Sequence, residues 1–221
     1  MTHAAYMTIR FVDRAEAGKA LAEALLGYRS DAPVIYALPR GGVAVGYEIA
    51  RALRAPLEII LTRKIGHPLN AEYAICAIAE GGEPLCNELE RAELDDAWLA
   101  AACKRERATL AHRAALYRGD GARISARGRV AILVDDGIAT GLTMRSAIAV
   151  LRGEEPKKLI VAAPVCPADV IAELHEAGAD ETVILEKGKP YLGAVGAYYR
   201  EFPQLTDNEV IAALQGSRKT E

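Results

Sequence analysis

Residues 130–143 read Val130-Ala-Ile-Leu-Val134-Asp135-Asp136-Gly137-Ile138-Ala139-Thr140-Gly141-Leu142-Thr143, and the reading of the whole chain turns on them. The five leading residues are continuously apolar, within a strand predicted over 129–136. Alternation disappears in this way only when a strand is buried on both faces. Residues 137–141 break the run, and a helix is predicted over about 142–151. Strand, small-residue loop and helix in that order are the repeating unit of a parallel sheet.

Working outward, the unit recurs. A helix is predicted over 13–26, with Ala17, Leu21, Ala24 and Leu25 at helical spacing behind Asp13 as its cap. A strand over 33–38 runs into the turn Pro39-Arg40-Gly41-Gly42 and a helix over about 43–53, and a strand follows over 57–62. Beyond the central motif come strands over 158–163 and 181–185 with a helix over 167–177 between them. Leu94, Trp98, Ala101, Ala108, Ala111 and Ala115 predict one long helix over 89–117. Residues 63–87 show no sustained period and read as a long loop, with room for a hairpin, of the kind that serves as a lid. The alternation implies an α/β fold with right-handed crossovers and a parallel sheet covered on both sides. There is no internal repeat, low-complexity tract or linker.

At 221 residues, 51% hydrophobic and 26% charged, the chain has the make-up of one folded domain spanning 1–221. A net charge of −3 supplies no global positive field, so nucleic acid and anionic membranes are not expected partners. An anionic ligand has to be caught locally. Cys76, Cys86, Cys103 and Cys166 form no CxxC pair and are expected as reduced thiols, with neither disulfide nor zinc. Residues 1–11 lack a signal-peptide core and no stretch reaches the 18 apolar residues of a membrane span, so a cytoplasmic protein is expected.

In an open parallel sheet, ligands bind outside the carboxyl ends of the strands. There Asp135 and Asp136 leave the strand, small residues let the backbone curl, and Thr140 and Thr143 stand at the helix start. Free N–H groups, the helix dipole and two hydroxyls suit one phosphate. The carboxylates would repel it and so suit neutral hydroxyls nearby. A vicinal diol beside a phosphomonoester describes ribose 5-phosphate. The plain alternative is that the aspartates cap a turn. Neither GxxxxGK nor GxGxxG follows any predicted strand.

The stretch ILVDDGIATGLTM, residues 132–144, resembles the phosphoribosyl pyrophosphate signature of the type I phosphoribosyltransferases. The resemblance runs from about residue 11 to residue 210 and includes ALPRGGVAVG (37–46) and VGAYYREF (195–202). It is nearest to bacterial stand-alone members of unassigned acceptor. It implies a three-layer fold with a core over about 11–187, a flexible catalytic loop and a small C-terminal hood over about 188–221. It also implies transfer of 5-phosphoribosyl from phosphoribosyl pyrophosphate to a nitrogenous, nucleobase-like acceptor, dependent on Mg²⁺. A regulator that only senses the metabolite is the alternative, and a homodimer is open.

By motif position, Asp135 and Asp136 would hold the ribose hydroxyls and touch the metal only indirectly, through those hydroxyls or water. Ile138, Ala139, Thr140, Gly141, Leu142 and Thr143 would hold the 5-phosphate. Arg40, Gly41 and Gly42 would form the pyrophosphate loop, with a cis peptide between Pro39 and Arg40. Arg63 and Lys64 resemble the basic pair that grips pyrophosphate, a solvated charge pair being the alternative. Ala139 replaces the Asp that 6-oxopurine enzymes usually carry, which lowers that acceptor class. His67 reads as a surface histidine before a catalytic one. Lys104, Arg105, Arg107, Arg113 and Arg118 read as an exposed helix face. Tyr198, Tyr199 and Phe202 could stack on a base, but packing against the C-terminal helix is the simpler reading.

Overall fold

Alternate side chains of a strand leave opposite faces, so a strand that is apolar throughout needs two covers. The computed structural model describes residues 10–119, 121–187 and 191–218. In it β6 (Val130–Val134) sends Val130, Ile132 and Val134 into one core and Ala131 and Leu133 into another. β1 (Val34–Ala37) and β7 (Lys158–Val165) divide likewise, with Ile35 and Ile160 on the first face and Tyr36 and Val161 on the second. With β2 (Leu57–Ile59) and β8 (Glu181–Glu186) they form a sheet ordered β2-β1-β6-β7-β8 in which every neighbouring pair is parallel.

Helices cover both faces, as the alternation predicts. α1 (Arg14–Leu25), capped by Asp13, and α2 (Gly41–Leu53) give Leu21, Leu25, Val45 and Ile49 to the first core. α5 (Leu142–Gly153) and α6 (Ala168–Glu176) give Met144, Ile148, Val170 and Leu174 to the second. α7 (Asp207–Arg218) adds Val210 and Leu214 to the first. Among the described residues no helix is long and apolar enough to cross a membrane. Residues 1–9, where no signal peptide is expected, and 188–190, at the start of the expected hood, lie outside the described residues.

Residues 63–87 are not a long loop. They belong to an antiparallel sheet of β3 (Thr62–His67), β4 (Asn70–Ala79) and β5 (Leu85–Cys86). The hairpin is there, and so is the apolar face that the sequence conceals: Ile65, Ile75, Cys76 and Ile78 are buried in the first core. Burial begins only in the second half of β4, while its first four residues are exposed, so no period builds up along the segment. Register places Cys76 opposite Cys86, and the two form a disulfide. This corrects the expectation of four reduced thiols, since only Cys103 and Cys166 are free, both buried. The predicted long helix is two, α3 (Glu88–Glu93) and α4 (Asp96–Arg118), separated where Asp95 accepts from the Trp98 N–H and caps α4.

Arg118 also departs from the exposed face expected for it. It donates from Nε to Glu58 at 2.9 Å, to both Glu80 oxygens at 2.7 and 2.9 Å, and to the Ile59 carbonyl at 2.8 Å. Arg118 and Glu58 are both buried, so the end of α4 is locked to β2 and to the end of β4. Truncation would leave the buried Glu58 carboxylate without its cation, and Arg118→Ala is expected to cost about 3–5 kcal/mol, read from denaturant midpoints. Reducing the Cys76–Cys86 bond, which closes a short loop, should cost about 2–3 kcal/mol. Thiol titration of the unfolded chain should give two reactive thiols before reduction and four after, as the four cysteines and one disulfide require.

Candidate functional site

In this strand order the chain leaves β1 toward one edge and β6 toward the other, so the carboxyl ends of β1 and β6 flank a switch point. Two loops meet there. The Leu38 N–H donates to the Val134 carbonyl at 2.9 Å, and α2 starts almost at once. A Cβ at Gly42 would lie 2.9 Å from Asp135 Cα, and one at Gly41 would lie 1.8 Å from Asp136 Oδ2. At residue 42 only glycine lets the two backbones come this close, and at residue 41 a Cβ would meet the Asp136 carboxylate. The Pro39–Arg40 peptide is cis, as the resemblance implies.

Beside this contact opens a cavity of about 480 Å³. Asp135, Gly137, Ile138, Ala139, Thr140, Gly141 and Thr143 line one side of it. Thr62, Arg63 and Lys64 of β3 and Arg113 of α4 also line it, with Leu38, Pro39, Met144 and Val195. α5 is entered through Gly141 (φ 72°), and no side chain caps its first N–H groups. α1, α3 and α4 are capped by Asp13, Asn87 and Asp95. Uncapped donors at the positive end of a helix dipole suit an anion. Among the described residues neither Lys64 nor Arg113 carries an ion pair, while Arg63 Nε lies 2.8 Å from Glu106.

The two aspartates part company. Asp135 lines the cavity and Asp136 does not. Asp136 Oδ2 accepts from Arg14 Nε at 2.7 Å, and its carbonyl accepts from the Tyr199 hydroxyl at 2.6 Å. Arg14 in turn lies 3.7 Å from the centroid of the Phe202 ring and donates to the Pro203 carbonyl. Burial, then the neighbouring Asp136 carboxylate, push the Asp135 carboxyl well above its ordinary range, against the Asp136 N–H that it accepts at 2.8 Å.

Of the other residues singled out from sequence, Arg40 lies 3.9 Å from Asp207 and does not line the cavity. Gly41 and Gly42 pack under the aspartates, and Leu142, the first residue of α5, stands outside the lining. His67 Nδ1 accepts from the Leu69 N–H in the β3–β4 turn. Tyr198 and Tyr199 pack with Phe11, Ala17 and Val165, with Phe202 against them, rather than on α7. Sequence reasoning missed Arg14, 122 residues from its partner and without any signal. It also missed Val195, and it placed Arg113 on an exposed helix face.

A parallel sheet whose switch point joins an uncapped helix start, two threonines, a half-buried carboxyl and three cations defines an α/β domain with a site suited to an anion. Residues 12–186 match the family described as phosphoribosyl transferase domain, and the chain belongs to that family. It is 41% identical to TT1426 from Thermus thermophilus, with a TM-score of 0.79 over 94% of this chain and 98% of that one. It is 40% identical, over 95% of its length, to two Mycobacterium tuberculosis sequences named “Putative phosphoribosyl transferase Rv0571c” and “Putative phosphoribosyl transferase MT0597”. The chain spans 47% of the length of these curated relatives.

A carboxyl held above its unfolded value stabilises the fold while protonated. That stability is lost as pH rises from about 4, the unfolded Asp value, through the raised folded one. Asp135→Asn removes the loss. Its melting temperature near neutral pH should exceed the wild type's by about 2–4 °C for each kcal/mol relieved. Thermal melts at several pH values check this, the two proteins converging in acid.

Proposed function

We propose that the protein transfers a 5-phosphoribosyl group from phosphoribosyl pyrophosphate to a nitrogenous, nucleobase-like acceptor and releases pyrophosphate. One observation carries this reading: a single cavity holds the uncapped α5 start with Thr140 and Thr143, the carboxyl of Asp135, and the cations Arg63, Lys64 and Arg113. Each suits a different part of one ligand. The helix start takes the 5-phosphate, Asp135 accepts from a sugar hydroxyl, and the cations take the pyrophosphate.

As the bond from sugar C1 to the pyrophosphate oxygen breaks, positive character grows on the sugar and negative charge on the leaving group. Cations fixed at the leaving group favour that separation, and the acceptor nitrogen closes the new bond to C1 and gives up a proton. Among the described residues no group of three His, Cys, Asp or Glu could cage a metal ion, and Asp135 is the one carboxylate in the lining. Asp135 is therefore the residue that would stand beside a Mg²⁺ ion, which, bound there, would neutralise charge on the pyrophosphate. Asp136, turned to Arg14, acts by holding the loop.

The test is pyrophosphate release from phosphoribosyl pyrophosphate and Mg²⁺ across a panel of nucleobases and amines, together with calorimetric titration of phosphoribosyl pyrophosphate. Thr143→Val should weaken binding about 10- to 100-fold, the worth of a hydrogen bond to a charged oxygen. Lys64→Ala should depress turnover more than affinity. Tight binding without release for any acceptor would leave a sensor. Absence of both would overturn the reading.

A further inference from the structure

A second cavity, of about 550 Å³, lies between the β4–β5 turn and α5, and it shares no lining residue with the first. Among the described residues two donors there have no partner. Ser146 of α5 is 2% exposed and its Oγ is unbonded, and Arg123 Nη1 is buried and unbonded although Nη2 of the same side chain bonds Glu154. Both residues line the cavity. Buried donors left unmatched on folding are a standing cost that an acceptor atom in the cavity removes.

The charges say which kind of acceptor. Three glutamates line the cavity, and each has an arginine against it: Glu80 has Arg118, Glu83 has Arg107 and Glu154 has Arg123. Arg118 is shared with Glu58, so the cavity holds no excess positive charge for phosphate, while an arginine against each lining glutamate leaves none of them bare for an ammonium. Carboxylate oxygens keep lone pairs beyond those the arginines use, so N–H groups on a ligand also find partners. Between the polar groups the walls are small and smooth, with Gly82 and Pro84 on the turn and Ala149, Val150 and Gly153 on α5. Such walls leave room for a flat body, and the volume lies within the range of small-molecule sites.

We propose that this cavity is a second binding site, for a small neutral flat heterocycle whose ring carbonyl meets Ser146 and Arg123 and whose ring N–H meets a glutamate. The proposal stands independently of the reading of the first cavity.

Uracil and 2-pyridone, each with a ring carbonyl and a ring N–H, serve as neutral probes and inorganic phosphate as the anionic control. Each is titrated into the full chain labelled at Ala, Val and Ile methyls. The expected result is saturable shifts at Ala149 and Val150 with either neutral probe, whether or not shifts also occur at Ile138 and Val195, which report on the first cavity. Ser146→Ala should weaken this binding about fivefold, the worth of one hydrogen bond. Ser146→Leu should fill the space and abolish it, and if that variant does not fold, Ser146→Ala decides. Three results overturn the proposal: no shift with either neutral probe, which leaves a cavity for water only; shifts confined to Ile138 and Val195; or phosphate moving Ala149 and Val150 as the neutral probes do.

Discussion

No side chain fits between residue 42 and the backbone of Val134 and Asp135, and that close approach is the constraint on which the rest of the site depends. It brings the ends of β1 and β6 together, so that two helix starts without side-chain caps, those of α2 and α5, stand at one point of the sheet edge. It also encloses the carboxyl of Asp135, whose negative form is then disfavoured by burial and by Asp136. A positive centre in the cavity restores that form.

Arg14 resolves the other half of the acidic pair. Its guanidinium bonds Asp136, stacks on Phe202 and donates to the Pro203 carbonyl, while Tyr199 holds the Asp136 carbonyl. The first turn of α1 and the segment around residues 199–203 thus meet on one residue of the loop after β6. Neither touches the cavity, yet both decide where Asp135 sits, because Asp135 and Asp136 share a peptide bond. A charge-assisted contact with both side chains largely sheltered, at 11% and 15% exposure, is stiffer than an ion pair in water.

What could be read from the chain follows from the range of the signal. β6 and its loop were legible because everything that defines them is local: five apolar residues, two acids, small residues, a helix start. The sheet order was legible only as a class, since continuous hydrophobicity says that a strand is buried but not beside which neighbour. The Arg14–Asp136 pair and the Cys76–Cys86 bond were illegible because each rests on register or docking between distant or irregular segments. Arg118 shows the limit from the other side: in a run of basic residues, nothing local tells the one that meets a buried carboxylate and a half-buried one from those that meet water.

β3 and β4 divide into a held half and a free half, and the division assigns their parts. Thr62, Arg63 and Lys64 pair with Ala79, Ile78 and Ala77, all buried, and Glu80 next to them is bonded by Arg118. The register then shifts between Ile65 and His67, and beyond it the turn carries Leu69, 92% exposed, and the start of β4 carries Tyr73, half exposed. The cations that line the cavity therefore stand on the anchored end, with positions set by core packing rather than by closure. The turn and the start of β4 have few buried contacts to oppose local opening. Arg63 needs only to exchange Glu106 for an anion to join Lys64 and Arg113, with its backbone already in place.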